Sequence, residues 1–339
     1  MPQRPRLTPA IADVRSAVRA GLEAAGVGAG DLVLVACSGG ADSLALAAAA
    51  VFEGQRAGVR VGAAIVEHGL QPGTAQVAKQ TQSLLQQLGL DPVLVLPVTV
   101  ATGTANGGTE AAARNARYLA LETAAHQTGA DHVLLGHTLD DQAETVLLGL
   151  TRGSGPKSLA GMTAANGLWL RPLLQIRRQQ TEAFCIDLGL AFWQDPHNID
   201  EKYTRVRIRH NVLPLLEDEL GPGVAQALAR TATIFQEDTA FLDALAAQTY
   251  AGLAQQNATQ ISFQVPQLEA IAAPVRKRVY AKAMQVFAAS FSQVHLASID
   301  ELVANWHGQK ELTLPGVRVV RTGDQVVFKT TKTLKPGVC

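Results

Sequence analysis

Strand-like, mostly apolar runs recur in the first part of the chain: Leu32–Ala36, Val61–Val66, Val93–Val98 and His132–Gly136. A strand with one solvated face alternates apolar and polar positions. A run apolar throughout reads as a strand buried on both faces, as in a parallel sheet. Between the runs, near Asp42–Phe52, Ala75–Leu88 and Glu110–Gln127, the apolar spacing is helical. This alternation predicts an α/β fold: a doubly wound, Rossmann-like parallel sheet with helices on both faces and ligands at the carboxyl ends of the strands.

The pattern changes after Pro214. Residues 223–255 are rich in Ala and Leu at helical spacing, and residues 260–329 read as a strand, two helices and a hairpin turning at Gly323-Asp324. The expected organisation is a catalytic domain over 1–215 and a helical linker over 216–258. A smaller, mostly helical domain over 259–330 and a tail over 331–339 complete it. The loop Thr99–Thr109 is small, polar and Gly-rich, the composition of a mobile connection.

Composition narrows the class. With 339 residues, 47% of them hydrophobic and 17% charged, the chain can bury sizeable cores. Three widely spaced cysteines, Cys37, Cys185 and Cys339, provide neither a disulfide framework nor a Cys-x-x-Cys pair. No apolar run is long enough for a membrane span or a signal core, so a cytoplasmic enzyme without membrane association is expected. The zero net charge divides unevenly. Residues 1–150 carry 9 Lys and Arg against 13 Asp and Glu, or −4, and residues 151–339 carry 20 against 16, or +4. A basic surface in the second half is therefore allowed.

The densest chemistry follows the first strand, at Cys37-Ser38-Gly39-Gly40-Ala41-Asp42-Ser43. Glycines where a strand turns into a helix let backbone N–H groups crowd around an anion, and the helix dipole favours phosphate there. Neither the Gly-Lys-Ser/Thr ending of a Walker loop nor the spaced glycines of a dinucleotide site are present. A second strand-to-helix segment runs from Gly136 and His137 through Asp141 and Glu144 to Leu148. Thr138 and Asp141 fit a capping box, which explains Asp141 without any function. Helical spacing puts Asp141 and Glu144 on one face, and Glu144 is harder to explain as a cap. The histidines lack metal-ligand spacing, so no zinc is expected.

Ser38-Gly39-Gly40-Ala41-Asp42-Ser43 resembles the PP-loop of the N-type ATP pyrophosphatases. The chain as a whole resembles the tRNA(Ile)-lysidine synthetases of that superfamily. Further matches follow in order: Glu110-Ala111-Ala112-Ala113-Arg114-Asn115-Ala116-Arg117-Tyr118, His137 to Thr145, and Arg152-Gly153-Ser154-Gly155. Arg171-Pro172-Leu173-Leu174 and Asp195-Pro196-His197-Asn198 complete the set. The loop alone identifies only the superfamily; the ordered set is far more specific. One departure is Glu67-His68-Gly69-Leu70-Gln71, where the family shows Asp-His-Gly-Leu-Arg; His68 is kept and the Arg is not.

The resemblance implies a two-step reaction. ATP adenylates O2 of cytidine 34 in an isoleucine tRNA with a CAU anticodon, and free L-lysine then attacks C2, expels AMP and leaves lysidine. It implies ATP and magnesium as the cofactors, with no iron–sulfur cluster. The nucleotide site would comprise Ser38, Gly39, Gly40, Ala41, Asp42, Ser43, His68, Gly136 and His137, with Asp42 on magnesium. Asp141 and Glu144 match the lysine-contacting acids, and Arg114 or Arg117 would brace the α-phosphate, Arg117 being the better candidate for chemistry. Arg205 and Arg207, in the densest basic run, are the candidate RNA contacts, and Arg276-Lys277-Arg278 is a second such run. A homodimer is allowed. The alternatives are a tRNA thiolase, a small-molecule amide ligase and a non-catalytic RNA-binding module. The first is disfavoured by the lack of a cysteine pair, the second by the basic second half and the third by the intact loop.

Overall fold

The computed structural model describes residues 7–67, 74–98, 108–153, 155–195 and 199–331. Among the residues singled out above, His68, the loop 99–107, Ser154, Pro196-His197-Asn198 and the tail from 332 lie outside them. In chain order the elements begin α1 (Pro9–Ala24), β1 (Leu32–Ala36), α2 (Ala41–Ala57), β2 (Arg60–Glu67), α3 (Thr74–Gln87) and β3 (Val93–Pro97). Next come α4 (Gly108–Thr128), β4 (His132–Leu135), α5 (Leu139–Arg152), α6 (Pro156–Leu159), β5 (Ala165–Asn166), β6 (Trp169–Leu170) and α7 (Arg178–Asp187). The chain then forms α8 (Thr204–Arg207), a π-helical segment (Ile208–Val212), α9 (Leu213–Leu220) and α10 (Val224–Leu253). It ends with β7 (Gln255–Gln256), β8 (Gln260–Gln264), α11 (Val265–Glu269), α12 (Ala273–Val286), α13 (Gln293–Ala304), β9 (Leu312–Leu314), β10 (Val317–Thr322) and β11 (Gln325–Thr330). Two compact units emerge: residues 1–153 with 158–233, and residues 234–339 with 154–157.

The first unit is built on a sheet of order β3-β2-β1-β4-β6-β5, parallel except for the edge strand β5. β1 is central and buried on both faces. Val33 and Val35 join the core beneath α1, α2 and α7, with Ile11, Leu44, Leu46 and Phe184, while Leu34 and Ala36 join Leu121 and Ala124 of α4 on the opposite face. Strand order reverses between β1 and β4, so the loops after these two strands diverge and open a crevice at their carboxyl ends. Both motif-bearing loops stand there.

Helix α1 is absent from the expected pattern, although its sequence encodes it. Thr8 caps it by accepting from the Ile11 amide, Pro9 occupies its first turn, and Ile11, Val14, Val18 and Leu22 form a buried stripe. The β5–β6 hairpin was also unexpected; two-residue strands leave no periodicity to read.

In the second unit a sheet of order β7-β8-β11-β10-β9, antiparallel throughout, packs against helices. Ile261, Phe263, Val317, Val319, Val326 and Phe328 face Tyr280, Met284, Ile299 and Leu302. The rings of Phe263 and Phe328 meet edge-on, 5.8 Å apart.

This packing bears on the run Arg276-Lys277-Arg278, of which Arg276 is turned inward. Arg276 is only 8% exposed. Its Nε donates to Asp300 Oδ1 at 2.7 Å and its Nη1 to the Ile271 carbonyl at 3.1 Å. Arg278 pairs with Asp243 at 2.8 Å, and Lys277 lies 3.9 Å from Asp300. Charges spaced one residue apart on a helix point to different sides, and here Arg276 points inward.

Candidate active site

The turn from β1 into α2 has the geometry its sequence demands. Gly39 takes φ = +83°, and a Cβ there would lie 2.5 Å from Thr81 Oγ1, so the position needs glycine on both counts. Ser43 holds the loop shut: its hydroxyl accepts from the Ser38 amide at 3.2 Å and donates to the Gly40 carbonyl at 3.0 Å. Gly40 is the N-cap of α2 and offers no side chain, leaving the first amides of the helix without a side-chain partner. At Gly136, after β4, a Cβ would press within 3.2 Å of the Asp42–Ser43 backbone, so its absence lets the two loops approach. The Trp193 amide donates to the Gly39 carbonyl at 2.9 Å and brings the segment 192–195 to the same place.

Together these loops bound a cavity of about 440 Å³. Ser38, Gly40, Ala41, Asp42, Ser43, Gly136 and His137 line it, as do Arg117 and Asp141. Among the expected residues Gly39 and Arg114 do not line the cavity. The Arg114 guanidinium stacks over the Tyr118 ring at 5.0 Å. Arg117, one turn on, enters the cavity half-buried and has no hydrogen-bond partner among the described residues. Burial lowers its pKa from the ordinary arginine value. His137 is in a similar position: its Nδ1 is buried without a partner, and burial lowers its pKa to about 4 despite the nearby Asp141. A neutral imidazole and an unpaired guanidinium thus stand beside open helix amides.

The acidic side of the cavity is a charge network. Asp141 is both things the sequence allowed. Its Oδ2 accepts from the Thr138 amide at 2.8 Å, completing the capping box of α5, while Oδ1 accepts from Arg178 at 2.8 Å and from Arg209 at 3.3 Å. Burial opposes its ionisation, but Arg178 and the Thr138 amide outweigh it and hold the carboxyl below its ordinary pKa. Asp42 accepts from the Thr181 hydroxyl and lies 3.5 Å from Arg178 Nε. Burial dominates there and raises its pKa to about 6.

Glu144 departs from expectation. It is 1% exposed and does not line the cavity. Its Oε1 and Oε2 accept from Arg209 Nε at 2.7 Å and Nη2 at 3.1 Å. Burial raises its pKa, with Arg209 opposing. The basic run near 205 is accordingly split. Arg209 turns inward to this network, whereas exposed Arg207 donates to the carbonyls of Glu201 and Lys202 at 2.6 and 3.0 Å, and Arg205 is half-buried.

Arg178, Arg209 as a site residue, and Thr181 were missed. One signal was available for Arg178. Helix α7 opens with Arg177-Arg178, the wrong charge for the positive end of a helix dipole. Asp140 offsets it, pairing with Arg177 at 2.9 Å and accepting the Arg178 amide at 2.7 Å.

Two other motif positions, Gln142 and Thr145, serve the local structure, whereas Asp195 lines the cavity. Gln142 exchanges hydrogen bonds with both backbone groups of Met162, at 2.8 and 2.9 Å. The Thr145 hydroxyl donates to the Asp141 carbonyl. Cys37 and Cys185 are buried and do not line the cavity, and burial pushes the Cys185 thiol up to about 12. Among the described residues no three His, Cys, Asp or Glu side chains cluster so as to hold a metal ion, and no helix is long and apolar enough to cross a membrane.

Residues 21–216 match the family described as the PP-loop domain, and residues 263–327 match the TilS substrate binding domain. A tRNA(Ile)-lysidine synthase of Leifsonia xyli subsp. xyli is 53% identical over 301 residues, spanning 88% of this chain and 90% of the relative. One from Streptomyces coelicolor is 48% identical over 313 residues, spanning 90% and 87%. A solved structure of the U34-tRNA thiolase NcsA from Methanococcus maripaludis with its [4Fe-4S] cluster superposes with a TM-score of 0.56. It covers 67% of this chain and 80% of its own at 18% identity, a likeness of fold alone.

Proposed function

Because this chain belongs to the tRNA(Ile)-lysidine synthase family, we propose that its cavity is where ATP, cytidine 34 and lysine meet, with Asp42, Arg117, Asp141 and Glu144 as the central residues. The enzyme is a ligase. It joins free L-lysine to C2 of cytidine 34 in the CAU anticodon of an isoleucine tRNA, through an adenylated tRNA and with conversion of ATP to AMP and pyrophosphate.

In the first step O2 of the cytosine attacks the α-phosphorus. The new O–P bond forms as the bond to the bridging oxygen breaks and pyrophosphate leaves. The open amides at the start of α2 and the Ser38 hydroxyl suit the departing pyrophosphate. Arg117, unpaired in the cavity, suits the charge that grows on the α-phosphate, and neutral His137 can donate a hydrogen bond without adding charge. Asp42 fits a magnesium ion: it is one hard carboxylate at the phosphate end, and this ion takes most of its ligands from phosphate and water. Bound there, the metal would neutralise charge on the leaving pyrophosphate.

In the second step the lysine side-chain amine attacks C2, the C2–O bond to the adenylate breaks, and AMP leaves with that oxygen. The ammonium must first be held and then lose a proton, to a base or to water, before its amine can attack. Asp141, kept ionised by Arg178, suits holding rather than accepting a proton, and Glu144 lies one helical turn further on the same face. The target base must leave its stack to enter.

The observation that carries this reading is that one cavity is lined by Arg117, without a hydrogen-bond partner among the described residues, by the uncapped start of α2 and by the Asp141 carboxylate. Pyrophosphate release from ATP tests it, measured with and without a CAU-anticodon tRNA and lysine. Release that requires the tRNA, followed by lysine-dependent AMP formation, is expected. Release without tRNA would point to a small-molecule ligase. Neither buried cysteine is placed to deliver sulfur, which leaves the thiolase alternative without support.

A further inference from the structure

Glu144 poses a physical problem for an ammonium site. Its carboxylate is covered, and both oxygens are already engaged by the side-on fork of Arg209, which is itself 23% exposed and lines the cavity. The same Arg209 Nη2 reaches Asp141 Oδ1 at 3.3 Å. Asp42, Asp141 and Glu144 bring three negative charges and Arg178 and Arg209 bring two positive ones, so the network is close to balanced before any lysine arrives. An incoming ammonium can reach Glu144 only by taking the place of a guanidinium. The exchange is electrically neutral for the carboxylates, which are never left bare in a buried site. It sets Arg209 loose, however, and a displaced guanidinium needs an anion.

The carboxylates of Glu182 and Asp195 also line the cavity, and bound nucleotide adds phosphate, a denser anion. Arg209 is carried by the π-helical segment Ile208–Val212, a widened turn of a kind that recurs at functional sites, and it already borders the same cavity as the phosphate-facing Ser38, Gly40 and Arg117. Arg178 is spread over three acids. It touches Asp141 at 2.8 Å, Asp42 at 3.5 Å and Glu144 at 3.7 Å, and its backbone amide is tied to Asp140. Arg209 covers both Glu144 oxygens and borders the cavity, so it is the guanidinium that an ammonium must replace there.

We infer that Arg209 is a displaceable stand-in for the substrate ammonium: it occupies Glu144 and Asp141 while lysine is absent, and it moves to the nucleotide phosphate when lysine enters. Lysine and nucleotide then favour each other's binding, because each stabilises the form in which Arg209 has left Glu144. The device delays productive lysine binding until a phosphate is in place, which matches an order of adenylation before transfer. It rests on the reading of Asp141 and Glu144 as the ammonium site.

The test is calorimetric binding of L-lysine to the full-length protein, with and without a saturating ATP analogue whose α,β-bridging oxygen is replaced by methylene. In the wild type the analogue should tighten lysine binding by on the order of tenfold or more. In Arg209→Gln lysine should bind the nucleotide-free protein about as tightly as it binds the wild-type nucleotide complex, and the analogue should change this by less than about threefold. Arg209→Lys keeps the charge but offers a point contact in place of a fork, so its coupling should fall between the two; it also keeps the test readable if the glutamine variant is unfolded. Coupling undiminished in both variants, or weaker nucleotide-free lysine binding in Arg209→Gln, overturns the inference. Glu144→Gln separates the two layers. If it leaves lysine affinity unchanged with and without the analogue, the ammonium site itself is wrong. If it weakens lysine while Arg209→Gln leaves the coupling intact, only the exchange is wrong.

Discussion

Asp42 carries a stability cost that the proposed chemistry explains, and Asp42→Asn should expose it. In the unfolded chain this carboxyl titrates near 3.8, and in the folded protein burial raises it to about 6. Above pH 6 the folded state must keep a charge in a partly dry site that the unfolded state keeps in water. The folded state is therefore penalised at pH 8. The penalty fades as pH falls through 6, and it is gone below about 4, where both states are protonated. A shift of about two units corresponds to about 3 kcal/mol. Asparagine removes the charge and can still accept from the Thr181 hydroxyl, but it loses the attraction of Arg178 at 3.5 Å. A net gain of about 1–2 kcal/mol at pH 8 is expected, with a melting temperature higher by roughly 2–4 °C per kcal/mol. Urea denaturation of both proteins without ligands, at pH 8 and pH 4.5, measures it. Asp42→Asn should be the more stable at pH 8 and lose most of that advantage at pH 4.5. Pyrophosphate release should be abolished even at saturating magnesium. A variant less stable than wild type at pH 8, or a stability difference that ignores pH, would refute the electrostatic argument. Near-normal pyrophosphate release would reduce Asp42 to a local structural residue.

Gly39→Ala should raise the KM for ATP by about tenfold or more and cost about 1–2 kcal/mol, because it combines an unfavourable positive φ with a Cβ driven into Thr81; an unchanged ATP KM would show that the loop can shift without harm. Arg276→Ala should destabilise the second unit by about 3 kcal/mol, since it leaves Asp300 with only the Tyr280 hydroxyl at 3.3 Å and Lys277 at 3.9 Å. Lys277→Ala should leave the urea midpoint in place. An Arg276→Ala protein with a wild-type midpoint but weakened tRNA binding would restore Arg276 as an RNA contact.

The parallel sheet was legible because β1 is buried on both faces, which turns a structural fact into an unbroken apolar run. The two motif-bearing loops were legible because glycine at 39 and 136 is forced by local geometry and leaves a mark in the sequence. Helix α1 was legible in principle, through Thr8, Pro9 and a stripe at 11, 14, 18 and 22, but its arginines drew attention away from that stripe. Side-chain direction in the basic runs was not legible. Arg207 and Arg209 are two positions apart, yet one grips carbonyls at the surface and the other grips Glu144. Nothing in a count of arginines separates these outcomes, because the partner acid lies 65 residues away in the chain.

The acids could be paired with their arginines only by asking what each buried charge requires. Asp141 had a local explanation as a cap, and a local explanation hides the need for a distant partner. Glu144 had none, and a buried glutamate requires a cation. The chain offers two cations for these acids: Arg178, at the wrong end of a helix, and Arg209, in the run expected to contact RNA. Matching unexplained acids to unexplained bases is thus a sequence-level rule with a physical basis. The same reasoning makes the site's chemistry exchangeable. A lysine ammonium brings the pocket nothing that Arg209 does not already supply, so selective lysine binding has to draw its driving force from where Arg209 goes.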